Sequence, residues 1–230
     1  ATYPIVNDVQ FTSALLDHLA ARFTIDSQRV YATGFSAGAM LTHKLGVDLG
    51  SRIAAIATVS GPLTNSTHAP QRPIPVLHMH GLEDTFAPYD FRNSKYAIGR
   101  IAMHSVPGTI EWWRNMNGAQ ATPVASQTTE HYTLTRYAPA PGSTGAEVVL
   151  VTLPEGGHTW PGGTPVSSIY GNLVTEVDAS RMIWQFLSQY RLSSASPLQS
   201  PIANSNAGLL GALSFDGLPD EESEQSIAIV

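Results

Sequence analysis

The stretch VYATGFSAGAMLTHKL, residues 30–45, decides how the chain folds. Val30 to Thr33 is a short apolar run leading straight into Gly34, the pattern of a buried strand that ends in a sharp turn. The residues after the turn, AGAMLTHKL, are helix formers that set Met40, Leu41 and Leu45 on one side. Strand, G-x-S-x-G and helix in that order form a nucleophile elbow, where the turn lifts a Ser oxygen above the sheet edge and a helix N-terminus lies beneath it. Ser36 is therefore a candidate nucleophile. Gly34 and Gly38 flank it where a side chain would clash with neighbouring backbone, and the N–H of Ala37 is placed to meet a developing oxyanion.

Outward from the elbow, short apolar runs alternate with helical patterns. Ile53 to Val59, Ile74 to Met79, His131 to Tyr137 and Glu147 to Leu153 read as strands closed by turn residues. Upstream, Phe11, Leu15, Leu19 and Phe23 recur every four positions and predict an amphipathic helix capped by Asn7 or Asp8. Two more helices are predicted, one over Val106 to Met116 with Ile110 and Trp113 on a shared face, one from an Asp178 cap to Tyr190. The alternation predicts an α/β protein, a mostly parallel sheet flanked by helices.

A Ser hydroxyl needs a base, and the base needs an orienting carboxylate. The loop GLEDTFAPY follows the apolar run IPVLHMH and carries Glu83 and Asp84 at a strand's C-terminal end, where open α/β sheets build their sites. The loop PEGGHTWPGG follows EVVLVTL and carries His158 among glycines that let an imidazole swing over the sheet. Ser36, Asp84 and His158 thus occur in the order acid-after-Ser, His-last. Phe35, His80 and Trp160 are the candidate substrate-pocket residues, His80 as pocket floor or structural hydrogen-bond partner and Trp160 as an apolar wall two positions after His158. An alternative places a metal on His78 and His80, an H-x-H on one face of a strand, with Asp84 nearby.

GFSAGAM, PVLHMHGLEDTFAPY and GGHTWPGG followed by DASRMIWQFLSQY resemble the extracellular polyhydroxybutyrate depolymerase and feruloyl or acetylxylan esterase group of α/β-hydrolases, from about Asp8 to Tyr190. HTWPGG is the most specific of these strings. The resemblance implies Ser36 as nucleophile, His158 as general base and Asp84, in preference to Glu83, as orienting acid. It implies small or polymeric esters of hydroxyacids or plant-wall acyl groups as substrates, no metal or other cofactor, and secretion. It also sets an expectation the chain does not meet. An α/β-hydrolase takes its second oxyanion donor from a loop well upstream of the elbow, and no His-Gly occurs in the 35 residues before Ser36. The catalytic domain, residues 1–192, is therefore expected to lack the first strands of its sheet, leaving Val30, Tyr31 and Ala32 as an unpaired edge. A hydrolase fold kept for binding, without turnover, is the third reading.

Composition narrows the classes further. The 230 residues carry a net charge of −6, but five of the acids fall after Ser193 with no Lys or Arg among them, so the body is close to neutral. No basic stripe supports a nucleic-acid partner. Cysteine is absent, which removes disulfides and thiolate chemistry, and no run reaches the length of a membrane span. The tail, residues 193–230, is rich in Ser, Pro and acids and reads as mostly disordered.

Overall fold

A computed structural model describes residues 7–64, 68–90, 103–165, 167–193 and 227–229. Seven strands form one sheet: β1 (Val30–Phe35), β2 (Ala55–Val59), β3 (Val76–Gly81), β4 (Ala125–Thr128), β5 (Thr133–Tyr137), β6 (Val148–Leu153) and β7 (Ile227–Ile229). Their spatial order is β4-β5-β6-β3-β2-β1-β7. From β6 to β7 every pairing is parallel, while β5 and β4 extend the sheet as an antiparallel edge. Among the described residues four α-helices accompany it: α1 (Asp8–Ala20), α2 (Ala37–Asp48), α3 (Val106–Asn117) and α4 (Ala179–Leu187).

The central strands are buried on both faces, and period-two alternation sends their side chains into two cores. Tyr31, Ala57, Val59, Leu77, Met79, Val149 and Val151 point to the side of α4, where Ile183, Phe186 and Leu187 meet them. Ala32, Ile56, Val76, Val148 and Leu150 point the other way, against Leu45 of α2 and Ile110 and Trp113 of α3. Trp113 is fully buried, and Trp112 stands edge-on to it and packs against the same core. Tyr31 ties β1 to the residues just after α4 by donating its hydroxyl to the Tyr190 carbonyl at 2.7 Å.

Helix ends follow their sequence signals. Asn7 caps α1 by accepting from the Gln10 N–H, Ser105 caps α3, and Asp178 caps α4 by accepting from the Arg181 N–H at 2.9 Å. The predicted inward stripe of α1 is corrected. Thr12 and Leu16 are its buried residues, whereas Phe11 and Phe23 are 63% and 59% exposed. A repeat of four drifts around a helix of 3.6 residues per turn, so Phe11 turns away from the face that packs, and Phe23 lies beyond the helix, which ends at Ala20.

The expectation that β1 stands as an unpaired edge is also corrected. Val30, Tyr31 and Ala32 pair with Ile227, Ala228 and Ile229 in parallel register. An apolar strand with free N–H and C=O groups gains most from any partner that can satisfy them, and the tail holds an extended apolar run at its end. The rest of the tail, from 194 to 226 and 230, lies outside the described residues. Mostly parallel strands with helices on both faces, and an elbow leading from β1 into α2, make this the α/β-hydrolase fold.

Candidate active site

The site lies where β1, β3 and β6 end, on the C-terminal side of the parallel sheet. Ser36 sits between the last residue of β1 and the first of α2, with φ 55° and ψ −118°. A non-glycine residue in that region is strained by roughly 1–3 kcal/mol, and it persists because the surroundings fix both of its sides. Its N–H donates to the Val59 carbonyl at 2.9 Å and its own carbonyl accepts from the Met40 N–H at 3.1 Å. Gly34 is required by close approach: a Cβ there would fall 2.4 Å from the Gly38 carbonyl carbon. The same reason does not hold for Gly38, whose Cβ would meet nothing within 4 Å. The expectation that both glycines avoid a clash is corrected to Gly34 alone.

Two loops bring the other groups to Ser36. The turn after β3 carries Asp84, and the turn after β6 carries His158. They lie against one another because Gly81 and Gly156 touch, a Cβ on Gly81 falling 2.0 Å from the Gly156 oxygen. His158 Nε2 is then 2.9 Å from Ser36 Oγ, and His158 Nδ1 is 2.8 Å from Asp84 Oδ2. The N–H groups of Phe86 and Ala87 donate to Asp84 Oδ1 at 2.9 and 2.8 Å. Glu83 faces solvent, and only its backbone joins the site, donating to the Gly156 carbonyl.

Asp84 is 3% exposed. Burial pushes its carboxyl upward, but the hydrogen bonds of His158 and His80 outweigh this and bring it down to about 2. Its carboxylate form is thereby favoured against His158 Nδ1. Ala37 opens α2, so its N–H is among the first-turn donors that a helix leaves without an internal acceptor.

Three rings surround the His158 imidazole: Phe35 at 4.9 Å, Phe86 at 5.4 Å and Tyr170 at 6.1 Å between centroids. Phe86 and Tyr170 also meet each other at 4.8 Å. Phe86 and Tyr170 were not among the residues read from sequence. Phe86 stands two positions after Asp84 in GLEDTFAPY, the signal that could have found it, whereas Tyr170 arrives on a short 3₁₀ turn (Ser168–Tyr170) with no such mark.

Two expected pocket residues are placed differently. Trp160 packs against the α4-side core and donates its indole N–H to Ser180 Oγ at 3.1 Å, which fixes it to the last helix. His80 takes the second of its two expected places, a structural hydrogen-bond partner and not the pocket floor. It is fully buried behind Asp84, its Nε2 2.7 Å from the Ala87 carbonyl and 3.4 Å from Asp84 Oδ2. His78 and His80 do share a face, but they are turned to each other, Nε2 to Nδ1 at 3.1 Å. Among the described residues no group of three His, Asp or Glu is spaced to hold a metal ion, and no helix among them is long and apolar enough to cross a membrane.

Within this fold the structure brings together a Ser on a strained elbow, an imidazole 2.9 Å from its oxygen and a buried carboxylate behind that imidazole. Residues 4–107 match the phospholipase/carboxylesterase family. The chain is similar to NocK of Nocardia uniformis subsp. tsuyamanensis, an esterase by name, with 33% identity over 68% of this chain and 49% of that protein. It is similar to the bifunctional acetylxylan esterase/xylanase XynS20E of Neocallimastix patriciarum, with 38% identity over 36% of this chain and 12% of the other. Feruloyl esterase B of Piromyces equi is 28% identical over 81% of this chain and 32% of its own length. The chain thus spans half or less of each of these relatives.

Proposed function

We propose that the protein is a carboxylic ester hydrolase working through an acyl-Ser36 intermediate. The observation that carries this reading is the unbroken contact series Ser36 Oγ, His158 Nε2, His158 Nδ1, Asp84 Oδ2, with links of 2.9 and 2.8 Å. His158 Nε2 takes the Ser36 proton as Oγ attacks the ester carbonyl carbon. The tetrahedral oxyanion meets the Ala37 N–H, one donor of the hole, at the positive end of α2. Collapse breaks the bond to the alcohol oxygen, which leaves with the proton from His158. Water then attacks the acyl-Ser36 carbonyl, gives its proton to His158, and the acid departs as the proton returns to Ser36 Oγ. Asp84 holds the Nδ1–H tautomer and stabilises the imidazolium that forms between the two transfers.

The substrates proposed are plant-wall acyl esters, feruloyl or acetyl, or hydroxyalkanoate esters and oligomers. The names of the relatives support the plant-wall choice. The rings of Phe35, Phe86 and Tyr170 beside His158 favour an acyl group with apolar or aromatic area over a small polar one. Secretion is proposed on the same similarity.

The test is hydrolysis of p-nitrophenyl butyrate by the chain and by its Ser36→Ala variant, followed by ethyl ferulate, acetylated xylan and a hydroxybutyrate oligomer. Turnover that vanishes in the variant supports the reading, and the best of the three esters assigns the substrate. Equal turnover by both proteins overturns it.

A further inference from the structure

Behind the site, on the face of the sheet that packs against α2 and α3, three polar side chains of adjacent strands form a string that ester hydrolysis does not itself call for. Thr58 of β2 and His78 and His80 of β3 are each fully buried. Thr58 Oγ1 is 2.8 Å from His78 Nδ1, His78 Nε2 is 3.1 Å from His80 Nδ1, and His80 Nε2 reaches the Ala87 carbonyl at 2.7 Å and Asp84 Oδ2 at 3.4 Å.

With both rings neutral, the partners give the string one direction. Ala87 offers His80 only a carbonyl oxygen, which accepts, so His80 Nε2 carries the proton. With one proton per ring, His80 Nδ1 is an acceptor and His78 Nε2 must donate to it. His78 Nδ1 then accepts from the Thr58 hydroxyl at 2.8 Å, whose other acceptor, the Leu77 carbonyl, lies farther off at 3.3 Å. Every donor points toward Asp84. His78 is held neutral by burial and by its His80 and His43 neighbours, which push it well below its ordinary range. His43 closes the core end, its ring 5.6 Å from His78 and its Nδ1 accepting from the Trp113 indole at 3.0 Å.

We propose that His80, oriented by His78 and Thr58, is a positioning residue for the carboxylate of Asp84, acting on catalysis through the Asp84–His158 pair without touching substrate. This rests on the reading of Ser36, His158 and Asp84 as the ester-cleaving triad. The Asp84 loop has to hold its carboxylate against His158 while the imidazole gains and loses a proton in each half-reaction. Two backbone N–H groups hold Oδ1. Oδ2, the oxygen that faces His158, has His80 Nε2 as its second neighbour, and the same N–H anchors the loop at the Ala87 carbonyl. Aligned buried hydrogen bonds polarise one another, so Thr58 and His78 sharpen the donor that His80 presents. An apolar residue at position 80 would leave the Ala87 carbonyl, Asp84 Oδ2 and His78 Nε2 each short of a partner.

The experiment compares the full chain with Ser36→Ala, His80→Met, His80→Gln and Thr58→Val in p-nitrophenyl butyrate hydrolysis, with near-ultraviolet circular dichroism to establish folding. Ser36→Ala comes first: if it retains turnover, the triad reading and this inference fall together. Once it has lost turnover, His80→Met is expected to lose about tenfold or more in kcat with KM within about twofold, because the loss falls on the transition state. His80→Gln, whose amide can donate from near the Nε2 position, is expected to regain most of that kcat. Thr58→Val, which keeps shape and removes the terminal donor, is expected to lose about threefold in kcat. Unchanged kcat in a folded His80→Met overturns the inference while the triad stands. So does a His80→Gln no better than His80→Met, since packing alone would then explain the loss. If His80→Met does not fold, Thr58→Val decides, and wild-type kcat in it overturns the inference.

Discussion

Gly81 at the end of β3 and Gly156 after β6 lie so close that a Cβ on Gly81 would stand 2.0 Å from the Gly156 oxygen. That contact sets the distance between the loop that carries Asp84 and the loop that carries His158. Gly81→Ala is expected to push the loops apart and to cost at least about tenfold in kcat/KM, since small displacements of positioned groups are amplified in rate. Steady-state hydrolysis of p-nitrophenyl butyrate by the variant checks it, and wild-type kinetics would contradict it.

Gly34 and Gly38 separate cleanly in the same way. A Cβ on Gly34 meets the Gly38 carbonyl group at 2.4 Å, whereas one on Gly38 meets nothing within 4 Å. Gly34→Ala is expected to lower the melting midpoint or abolish folding. Gly38→Ala, inside α2, is expected to leave it unchanged or raise it, since Ala is favoured over Gly in a helix by up to about 1 kcal/mol. Thermal melts of the two variants decide between this and the symmetric expectation from the motif.

Acid should unfold the protein early, because two histidines are buried uncharged. Burial holds His43 down at about 3, and His78 is lowered in the same direction. Below their ordinary value of about 6.5 the unfolded chain takes up protons that the native state refuses. The stability these groups contribute is full above that value and is lost as pH falls toward the folded values. While both stay neutral the slope is about 2.7 kcal/mol per pH unit. Asp84, lowered to about 2, adds a loss confined to the range from its ordinary value of 3.8 down to that point. Urea midpoints at pH 7.5, 6 and 5 check this. His43→Gln is expected to remove roughly half of the slope, and a flat profile would contradict it.

Phe86 offers a test of substrate class. Its ring stacks beside His158, while its backbone N–H, which no side-chain change removes, holds Asp84. Phe86→Ala is therefore expected to lower kcat/KM on ethyl ferulate by about tenfold and on p-nitrophenyl acetate much less, reflecting lost aromatic contact of roughly 1–1.5 kcal/mol. Equal losses on both esters would place Phe86 outside the acyl contact.

What the sequence made legible was whatever a local pattern dictates. The elbow from Val30 to Leu45, the buried strands and the Asp178 cap each follow from residues within a turn or two of one another. Between Glu83 and Asp84 no local pattern decides; the family resemblance favoured Asp84, and it is the one whose carboxylate meets His158. The failures are long-range. The strand β4, ASQT, is half exposed and shows no apolar alternation, so it exists through its pairing with β5. The strand β7 lies in an acid-rich tail and is defined by the edge of β1 that it covers. His80 was expected either at the pocket floor or as a structural hydrogen-bond partner, because a His on a strand end near a site suits both. Only the packing of α2 and α3 on that face shows it turned into a buried string.

The most direct measurement is covalent labelling with a fluorophosphonate, a probe that forms a stable bond with an activated Ser oxygen, followed by peptide mass spectrometry. The expected result is one adduct per chain, on Ser36, formed by the wild type and absent from His158→Ala, because Ser36 Oγ depends on the imidazole 2.9 Å away for its reactivity. An adduct on another residue, or ester turnover with Ser36 unlabelled, would contradict the assignment of Ser36 as the nucleophile.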